Sequence, residues 1–437
     1  MAFRNFDQTQ LSRRSLFRSG ALVGVGALAS GLPASTALFA HDAGGEFPAL
    51  AQFAKKYVSE GKVANLLITL GMGAQDDHAH TVGGGKLGFS SEANVGLDTL
   101  YRIYSMTKPV TGIATMMCIE DGHFTLDTPL AELLPAFADM KVLKKADGPL
   151  TDTVPAQKPI TIRQLLTHTS GLSYIIDAKG PLLAAYARGG LVGGRVTRLP
   201  IPGVPDVRGA PSLEAFADRL STLPLVAQPE TKWIYSASFD LLGRVIEVAS
   251  GMEFQNFLQT RIFDPCGMTS TFFTLPEGDR ARMTDNYGFL GQMPIPIDPG
   301  ASSIYLDEPE FASGGGGLLS TPRDYDRFLR MLLGFGTLDS VQISESETIR
   351  TAVSNLLPAG VDTAGTWVDG EGFGAGGRTK NGRFGWGGAA GTLAAVDYNL
   401  DLRAGLYTQY MPPETYPIRE EYIRALTADM QATAAAA

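Results

Sequence analysis

Hydrophobic positions in the N-terminal part of the chain follow first a helical and then a strand pattern. Apolar residues from Phe47 to Glu60 recur every three or four positions, which predicts an amphipathic helix. The apolar run Asn65 to Leu70 predicts a strand, and Leu100 to Tyr104 predicts another that runs into a helix beginning at Ser105. This region is therefore predicted to supply strands of a sheet and helices that pack on it.

The pattern changes between Leu126 and Phe311, where prolines and loop-forming residues are frequent. Helical periodicity remains in short patches at residues 162–167, 213–220 and 239–249. The stretch Gly180 to Pro211 has many glycines and prolines, and long irregular segments of this kind usually have a function or move. We therefore expect a mainly helical lobe in which this stretch is a substrate-entrance loop.

Strand patterns return after Ser313. Thr321 followed by Pro322 predicts a helix start, and a final helix repeats apolar residues on one face from Ile418 onward. Between these helices lie four strand-like stretches, namely Phe373 to Arg378, Gly382 to Trp386, Gly391 to Asp397 and Leu402 to Tyr410.

This order of elements predicts an α/β (α+β) fold with an antiparallel sheet flanked by helices and built from both chain ends. Residues 41–125 and 311–437 are predicted to form the sheet domain. Residues 126–310 are predicted to form the inserted, mainly helical lobe with the substrate-entrance loops.

Composition narrows the classes of function. The formal net charge of -9 argues against nucleic acid or an anionic membrane as a partner. The chain has 2 cysteines, which gives neither a disulfide framework nor a thiolate metal site, and Cys118 is expected to be a buried, inert thiol. His78 and His80 lie beside two aspartates and could bind a metal, but a solvated hairpin turn is the favoured interpretation. We expect no metal and no cofactor.

The first 40 residues have the features of an export signal. The segment Ser12 to Phe17 contains two adjacent arginines, resembles the twin-arginine motif, and precedes an uncharged run of small residues up to Ala40. That run is long enough to span a bilayer, so an uncleaved anchor is the alternative to cleavage near Ala37 or Ala40. We expect a twin-arginine-type signal peptide at residues 1–40, a periplasmic or secreted protein, and no stable membrane association after cleavage.

Ser105 and Lys108 are candidates for nucleophilic chemistry. Residues three apart share one helix face, and a serine needs a neighbouring base before it can attack. A helix N-terminus and burial both favour the neutral amine that a lysine base requires. The same spacing occurs at Ser59 and Lys62, but at the end of a helix. The simpler alternative for Ser105 is an ordinary helix N-cap.

Three stretches together resemble the β-lactamase-related serine hydrolases, which include class C β-lactamases, D-alanyl-D-alanine peptidases and family VIII carboxylesterases. Residues 102–109 resemble the nucleophile motif of that family, residues 165–172 resemble its L-L-T-H-T-S-G-L segment, and residues 314–323 resemble its Gly-rich turn. The resemblance covers nearly everything after the signal and implies a β-lactamase/D,D-peptidase-like fold. It also implies that His168 is structural, because the family does its chemistry without this histidine.

The resemblance assigns roles to residues of two further motifs. Tyr235-Ser236-Ala237 matches the family's Y-x-N, which implies that Tyr235 shares proton transfer with Lys108, and the sequence leaves open which of them is the base. Residues 385–389 match the third motif as W-G-G, as in family VIII esterases. The resemblance implies an oxyanion hole from the backbone N–H groups of Ser105 and Ala389. It implies substrate contacts at Trp386, Gly387 and Gly388.

Two departures from the family pattern bear on the substrate. Penicillin-recognising members hold the β-lactam with a Lys or His in motif three and an Asn in motif two, whereas this chain has Trp386 and Ala237. Loss of a charge-assisted hydrogen bond costs roughly 1.5 to 3 kcal/mol, while an aromatic wall favours a neutral, apolar group. A nearby cation could compensate, and the candidates are Arg378, Lys380 and Arg383.

The leading hypothesis is an exported serine hydrolase that acts on carboxylic esters through an acyl-enzyme at Ser105, with water or an alcohol as acceptor. One alternative is a β-lactamase or D-alanyl-D-alanine peptidase acting on amide bonds. Another is a catalytically silent binding protein, which the presence of Ser105, Lys108 and Tyr235 disfavours. The expected partner is a small-molecule ester, and the oligomeric state is not readable from the sequence.

Overall fold

The computed structural model describes residues 45–199 and 208–436 of the chain. The strands in chain order are β1 (Asn65–Met72), β2 (His80–Gly85), β3 (Tyr101–Arg102), β4 (Lys141–Leu143), β5 (Thr153–Pro155), β6 (Asn286–Leu290), β7 (Met293–Asp298), β8 (Leu319–Ser320), β9 (Thr337–Leu338), β10 (Val341–Gln342), β11 (Gly372–Phe373), β12 (Arg378–Lys380), β13 (Arg383–Gly387), β14 (Leu393–Asp397) and β15 (Leu402–Tyr407).

The helices are α1 (Pro48–Ser59), α2 (Thr107–Glu120), α3 (Ile162–Leu166), α4 (Gly180–Arg188), α5 (Leu213–Ser221), α6 (Ser238–Ser250), α7 (Phe254–Leu258), α8 (Asp264–Cys266), α9 (Pro322–Leu333), α10 (Ser346–Val353) and α11 (Ile418–Ala436). A single π-helical turn, Gln259–Phe263, joins α7 to α8.

Seven strands form the main antiparallel sheet in the order β11-β12-β13-β14-β15-β1-β2. The N-terminal hairpin β1–β2 joins the C-terminal strands through β15, where Leu67 pairs with Tyr407. The sheet is therefore built from both chain ends, which confirms the predicted fold class.

Both faces of the sheet are buried. Leu66 and Ile68 of β1 pack in a cluster with residues of α1 and α11, whereas Leu67 between them packs in the core that contains α2. Alternate residues of a strand point to opposite faces, so helices must cover the sheet on both sides. This explains the continuous apolar run of β1.

Residues 126–310, which were predicted to form the helical lobe, contain α3 to α8 and the hairpins β4–β5 and β6–β7. The helices predicted at residues 162–167, 213–220 and 239–249 are confirmed as α3, α5 and α6. Capping explains the starts of two of them, because the side chains of Thr161 and Ser212 accept backbone N–H groups of the first turn. The domain boundaries stay predictions.

Two strand predictions were wrong in detail. The strand predicted from Leu100 to Tyr104 is only the two residues of β3, which pair with β8 outside the main sheet. The stretch from Phe373 to Arg378 is divided between β11 and β12 by a turn. Gly376 in this turn has φ +87°, and a Cβ there would lie 2.3 Å from the carbonyl oxygen of Lys108. The backbone leaves the strand conformation because it packs directly on α2.

The irregular stretch predicted from Gly180 to Pro211 begins instead with α4, Gly180–Arg188. Pro181 lies in the first turn of this helix, where its missing N–H removes no helical hydrogen bond. Leu182, Ala185 and Tyr186 form its buried side. The glycine and the proline at the start of this segment therefore led to the prediction of a loop where the structure has a helix.

Candidate active site

Ser105 lies in a sharp turn between β3 and α2. A 3-10 turn, Tyr104–Met106, precedes α2, so Ser105 lies before the α-helix and does not start it as predicted. Tyr104 has φ +41°, an uncommon conformation for a residue with a side chain. The buried Arg102 anchors the strand before the turn, since its Nε donates to Asp298 Oδ2 at 2.7 Å. The turn leaves the Ser105 side chain partly exposed.

Lys108 reaches Ser105 from the first turn of α2. Its Nζ lies 3.3 Å from Ser105 Oγ and donates to the carbonyl oxygen of Gly315 at 2.6 Å. The side chain is fully buried, and Nζ lies 4.6 Å from the ring centre of Tyr235. Within residues 45–199 and 208–436, no carboxylate forms an ion pair with Lys108. The groups around Lys108 Nζ are thus the Gly315 carbonyl, the face of the Tyr235 ring and the Ser105 hydroxyl.

Tyr235 completes the group from the chain segment just before α6. Its hydroxyl donates to Ser105 Oγ at 2.8 Å. The ring is buried and held between the rings of His168, at 4.7 Å, and Trp386, at 6.0 Å. The structure thus brings together Ser105, Lys108 and Tyr235, whose catalytic roles stay predictions. Ala237, which replaces the family's Asn, is fully buried and offers no polar group.

Asp240 of α6 holds the Gly-rich segment that supports Lys108. Its Oδ1 accepts the hydroxyl of Ser313 at 2.6 Å and the N–H of Gly315 at 3.1 Å. Burial raises the pKa of this carboxyl group. A Cβ on Gly314 would lie 2.3 Å from the carbonyl oxygen of Phe239, so this glycine allows close packing against α6. The sequence analysis missed Asp240. A carboxylate on an otherwise apolar helix face was a signal that this side chain has a buried polar partner.

The strand β13 carries the third motif beside Tyr235. Trp386 is buried, whereas Gly387 and Ala389 are partly exposed. A Cβ on Gly388 would lie 2.3 Å from the carbonyl oxygen of Ile103, so the turn after β13 packs against the segment that leads to Ser105. The N–H of Ala389 donates to no acceptor in the described part of the chain. This free N–H suits the oxyanion role predicted for Ala389, which stays a prediction.

Aromatic rings line one side of the site. Trp386 lies 5.3 Å from Phe373 and 6.5 Å from Trp233, measured between ring centres. Trp367, which the sequence analysis did not single out, lies 4.9 Å from Tyr235 and 6.4 Å from Trp386. Trp367 is 48% exposed, so it forms the open edge of this aromatic wall.

The arginines considered as substitutes for the missing motif-three cation contact carboxylates. Arg378 Nε lies 3.5 Å from Glu371 Oε2, and its guanidinium lies 5.3 Å from the ring centre of Trp386. Arg383 Nε lies 3.2 Å from Asp397 Oδ2. These interactions occupy both arginines and weaken the case that either one holds a substrate carboxylate.

His168 is buried and hydrogen-bonded to Ser236, which suits the structural role predicted for it. Its Nδ1 accepts the N–H of Ser236 at 3.2 Å and lies 2.9 Å from the Ser236 hydroxyl. Burial lowers the pKa of His168 well below its ordinary value, and the positive field of Lys108 acts in the same direction. The neutral ring packs on Tyr235 and fixes the position of that side chain.

Part of the predicted entrance loop lies next to the site. A Cβ on Gly193 would lie 2.6 Å from Asp240 Oδ2 and 3.0 Å from the hydroxyl of Tyr174. A Cβ on Gly194 would lie 3.2 Å from the carbonyl oxygen of Gly316. The chain after α4 therefore crosses the Gly-rich segment, although its role as an entrance loop stays a prediction.

Other candidates lie apart from this chemistry. Cys118 and Cys266 are buried free thiols, and burial raises both pKa values to about 12. His80 Nδ1 lies 3.5 Å from Glu46 Oε2, and the described residues contain no group of three or more His, Cys, Asp or Glu side chains that could hold a metal.

None of the helices within the described ranges is long and apolar enough to cross a membrane. The predicted signal peptide lies outside the described residues.

Comparison with known proteins identifies the class. A family model described as Beta-lactamase matches residues 73–429. The chain therefore belongs to the β-lactamase family, and its fold is that of β-lactamase-related serine hydrolases and acyltransferases. Protein Rv1367c of Mycobacterium tuberculosis is 35% identical over 334 residues, which cover 72% of this chain and 78% of that protein.

One relative with a named activity matches a shorter part of the chain. Lovastatin esterase of Penicillium rubens is 35% identical over 247 residues, which cover 54% of this chain and 56% of that enzyme. The chain therefore spans little more than half of lovastatin esterase.

Two solved structures show the same fold. EstCE1, a hydrolase with promiscuous acyltransferase activity, has a TM-score of 0.69 at 22% identity. The match covers 87% of this chain and 98% of the EstCE1 chain. Unliganded simvastatin synthase of Aspergillus terreus has a TM-score of 0.68 at 23% identity, with coverages of 88% and 99%.

Proposed function

We propose that this protein hydrolyses carboxylic esters, or transfers their acyl group to an alcohol, through an acyl-enzyme on Ser105. The observation that carries the proposal is the pair of contacts at Ser105 Oγ, which lies 2.8 Å from the Tyr235 hydroxyl and 3.3 Å from Lys108 Nζ. A serine becomes a nucleophile when a neighbouring group takes its proton, and both contacts are within reach for that transfer.

In the first half of the reaction, Ser105 Oγ attacks the ester carbonyl carbon while its proton passes to Tyr235 or Lys108. The negative charge on the carbonyl oxygen is held by the backbone N–H groups of Ser105 and Ala389. The ester bond then breaks, and the leaving alkoxide takes the proton from the same pair. In the second half, water or an alcohol attacks the acyl carbon while its proton passes to the pair. The bond to Ser105 Oγ then breaks, and Ser105 Oγ takes that proton from the pair.

Tyr235 and Lys108 share the transfer of the Ser105 proton. In the structure the Tyr235 hydroxyl and Lys108 Nζ both donate to Ser105 Oγ, so both groups contact the oxygen atom that must lose its proton. The group that takes the serine proton must accept a hydrogen bond from Ser105, so its own contact with Oγ reverses direction before the attack.

The surroundings favour a neutral, apolar substrate. Trp386, Trp367 and Tyr235 form an aromatic wall, and the buried Ala237 supplies no amide group. Arg378 and Arg383 contact Glu371 and Asp397. The similarity to lovastatin esterase, at 35% identity over 247 residues, also supports an ester as the substrate.

We also propose export through the twin-arginine pathway to the periplasm or beyond, which the residues around Arg13 and Arg14 support. The test is fractionation of cells that express the whole chain or its Arg13→Lys/Arg14→Lys variant. Export predicts mature protein outside the cytoplasm only for the unchanged chain. Equal cytoplasmic retention of both would contradict the proposal.

The test of activity offers the purified protein p-nitrophenyl esters of graded acyl length beside nitrocefin, with Ser105→Ala as control. We expect ester turnover, little reaction of nitrocefin, and no turnover by the Ser105→Ala protein. A preference for nitrocefin would favour the β-lactamase alternative. Ester turnover that survives in Ser105→Ala would remove the proposed nucleophile.

A further inference from the structure

Arg419, the second residue of α11, reaches back to the turn after β13. Its Nη2 donates to the carbonyl oxygen of Gly388 at 2.5 Å and lies 3.4 Å from that of Thr392. The N–H of Gly388 closes the same turn by donating to the Thr392 carbonyl at 2.9 Å. A Cβ on Gly387 would lie 3.0 Å from Nη2, so the guanidinium packs closely against the backbone. One side chain thus fixes the whole turn.

The carbonyl that Arg419 holds belongs to the same peptide unit as the N–H of Ala389. A trans peptide is planar, and its C=O and N–H point in opposite directions. The N–H of Ala389 therefore points away from Arg419, and within the described residues it has no acceptor. On its other side the turn touches the carbonyl oxygen of Ile103, two positions before Ser105.

Helix stability does not explain a cation at this position. The N-terminus of a helix carries partial positive charge, so an arginine in the first turn of α11 is disfavoured by the helix dipole. Arg419 also forms no ion pair with a carboxylate in the described part of the chain, and its Nε is buried without a partner. Its polar contacts among these residues are the two carbonyl groups of the turn.

A guanidinium on the carbonyl oxygen also polarises the peptide. Hydrogen-bonded groups polarise one another in a low-dielectric environment, so a charged donor on the C=O makes the N–H of the same amide a stronger donor. An N–H aimed at the developing oxyanion needs both a fixed direction and donor strength. Arg419 supplies both to the Gly388–Ala389 peptide.

We propose that Arg419 is a positioning residue for the oxyanion site, which holds and polarises the Gly388–Ala389 peptide so that the Ala389 N–H binds the negatively charged oxygen of the tetrahedral intermediate. This inference rests on the proposed ester hydrolysis at Ser105. Arg419 itself touches no reacting atom.

The test compares Arg419→Met and Arg419→Lys with Arg424→Met, which removes an arginine of the same helix whose side chain is 65% exposed. Each protein is assayed for kcat and KM on a p-nitrophenyl ester, and for affinity toward a boronic acid that forms a tetrahedral adduct with the serine. We expect kcat of Arg419→Met to fall roughly 10- to 100-fold, somewhat less than the loss of an entire oxyanion donor. KM should change little, and boronate affinity should fall in parallel with kcat. Arg419→Lys should recover part of the loss, and Arg424→Met should behave as the unchanged protein.

A purely structural role predicts a different result. It would lower the melting temperature and the fraction of active protein while leaving kcat per active site and boronate affinity unchanged, and that outcome would overturn the inference. If Arg419→Met fails to fold, Arg419→Gly assayed with added guanidinium chloride at millimolar concentration replaces it. Guanidinium should raise kcat of this variant several-fold, and absence of both this rescue and the Arg419→Lys recovery would contradict the proposal.

Fluorophosphonate labelling separates the two proposals. If the unchanged protein is labelled at Ser105 and turns over esters, only the comparison of Arg419 variants decides the inference. If the unchanged protein is neither labelled nor active, the proposed function fails and the inference fails with it.

Discussion

Tyr235 and Ser105 lie 130 positions apart in the chain, yet the Tyr235 hydroxyl donates a 2.8 Å hydrogen bond to Ser105 Oγ. The contact joins the segment before α6 to the turn before α2. Lys108 adds a second contact to the same oxygen at 3.3 Å. Ser105 Oγ is thus the point where these side chains meet, and the account of the chemistry depends on it.

Removal of the Tyr235 hydroxyl should slow acyl transfer without changing substrate binding. Because a positioned proton-transfer group contributes roughly 100- to 10,000-fold to a rate, we expect kcat of Tyr235→Phe to fall within that range. KM for p-nitrophenyl butyrate should stay nearly constant, since the ring is kept. The control is Tyr186→Phe, which removes another buried hydroxyl, one that donates to the Ser173 carbonyl. Equal losses in both variants would mean that the effect comes from the fold.

Trp367 should affect the choice of acyl group. Its half-exposed ring forms the open edge of the aromatic wall, so Trp367→Ala removes apolar contact area that only a long acyl chain can reach. A loss of about 1 to 2 kcal/mol of contact would lower kcat/KM for p-nitrophenyl octanoate roughly 5- to 30-fold. The acetate ester should change little.

The comparison for Trp367→Ala is Leu290→Ala, which truncates an exposed apolar residue at the end of β6. It should leave the whole acyl-length profile unchanged. A Trp367→Ala protein that loses equal activity toward acetate and octanoate would show that Trp367 does not select acyl length.

His168 should make stability depend on pH. Its pKa is lowered by burial in the folded protein, so below pH about 6.5 the unfolded chain binds a proton that the native protein does not. The contribution of His168 to the free energy of unfolding is therefore full above that pH, and falls by up to about 1.4 kcal/mol per pH unit as the pH drops below it.

Urea unfolding at pH 7.5 and 5.5 measures this effect. The free energy of unfolding should differ less between the two pH values in His168→Asn than in the unchanged protein. The asparagine oxygen can accept the Ser236 N–H but does not titrate. His123→Asn changes an exposed histidine and should retain the original pH dependence. An identical pH dependence in all three proteins would contradict a neutral, buried His168.

Local patterns predicted much of the fold. The period of apolar residues located α1, β1, α6 and the C-terminal strands, because burial on a helix or sheet face leaves a repeat in the sequence. Position in a helix separated the two Ser–Lys pairs of equal spacing, because Ser59 and Lys62 lie at a helix end and Ser105 was expected at a helix start. Lys62 indeed pairs with the neighbouring Glu60 at the end of α1, whereas Lys108 reaches Ser105.

The rest of the site depends on contacts between distant segments. Tyr235 was found through the family resemblance, since a single tyrosine before a helix carries no signal of its own. Trp367 and Arg419 were missed because their contacts with Tyr235 and Gly388 arise only when the C-terminal segments fold onto the site. Helix α4 was missed because Gly180 and Pro181 resemble a loop start, although proline is compatible with a first helical turn.

The central claim is that Ser105 carries the acyl group, and mass spectrometry of the trapped intermediate tests it most directly. The protein is mixed with a p-nitrophenyl ester, quenched in acid within the burst phase, digested and mapped. The account predicts an adduct of the acyl mass on the peptide that contains Ser105, and no adduct in the Ser105→Ala protein. An adduct on any other residue, or its persistence in Ser105→Ala, would contradict the account.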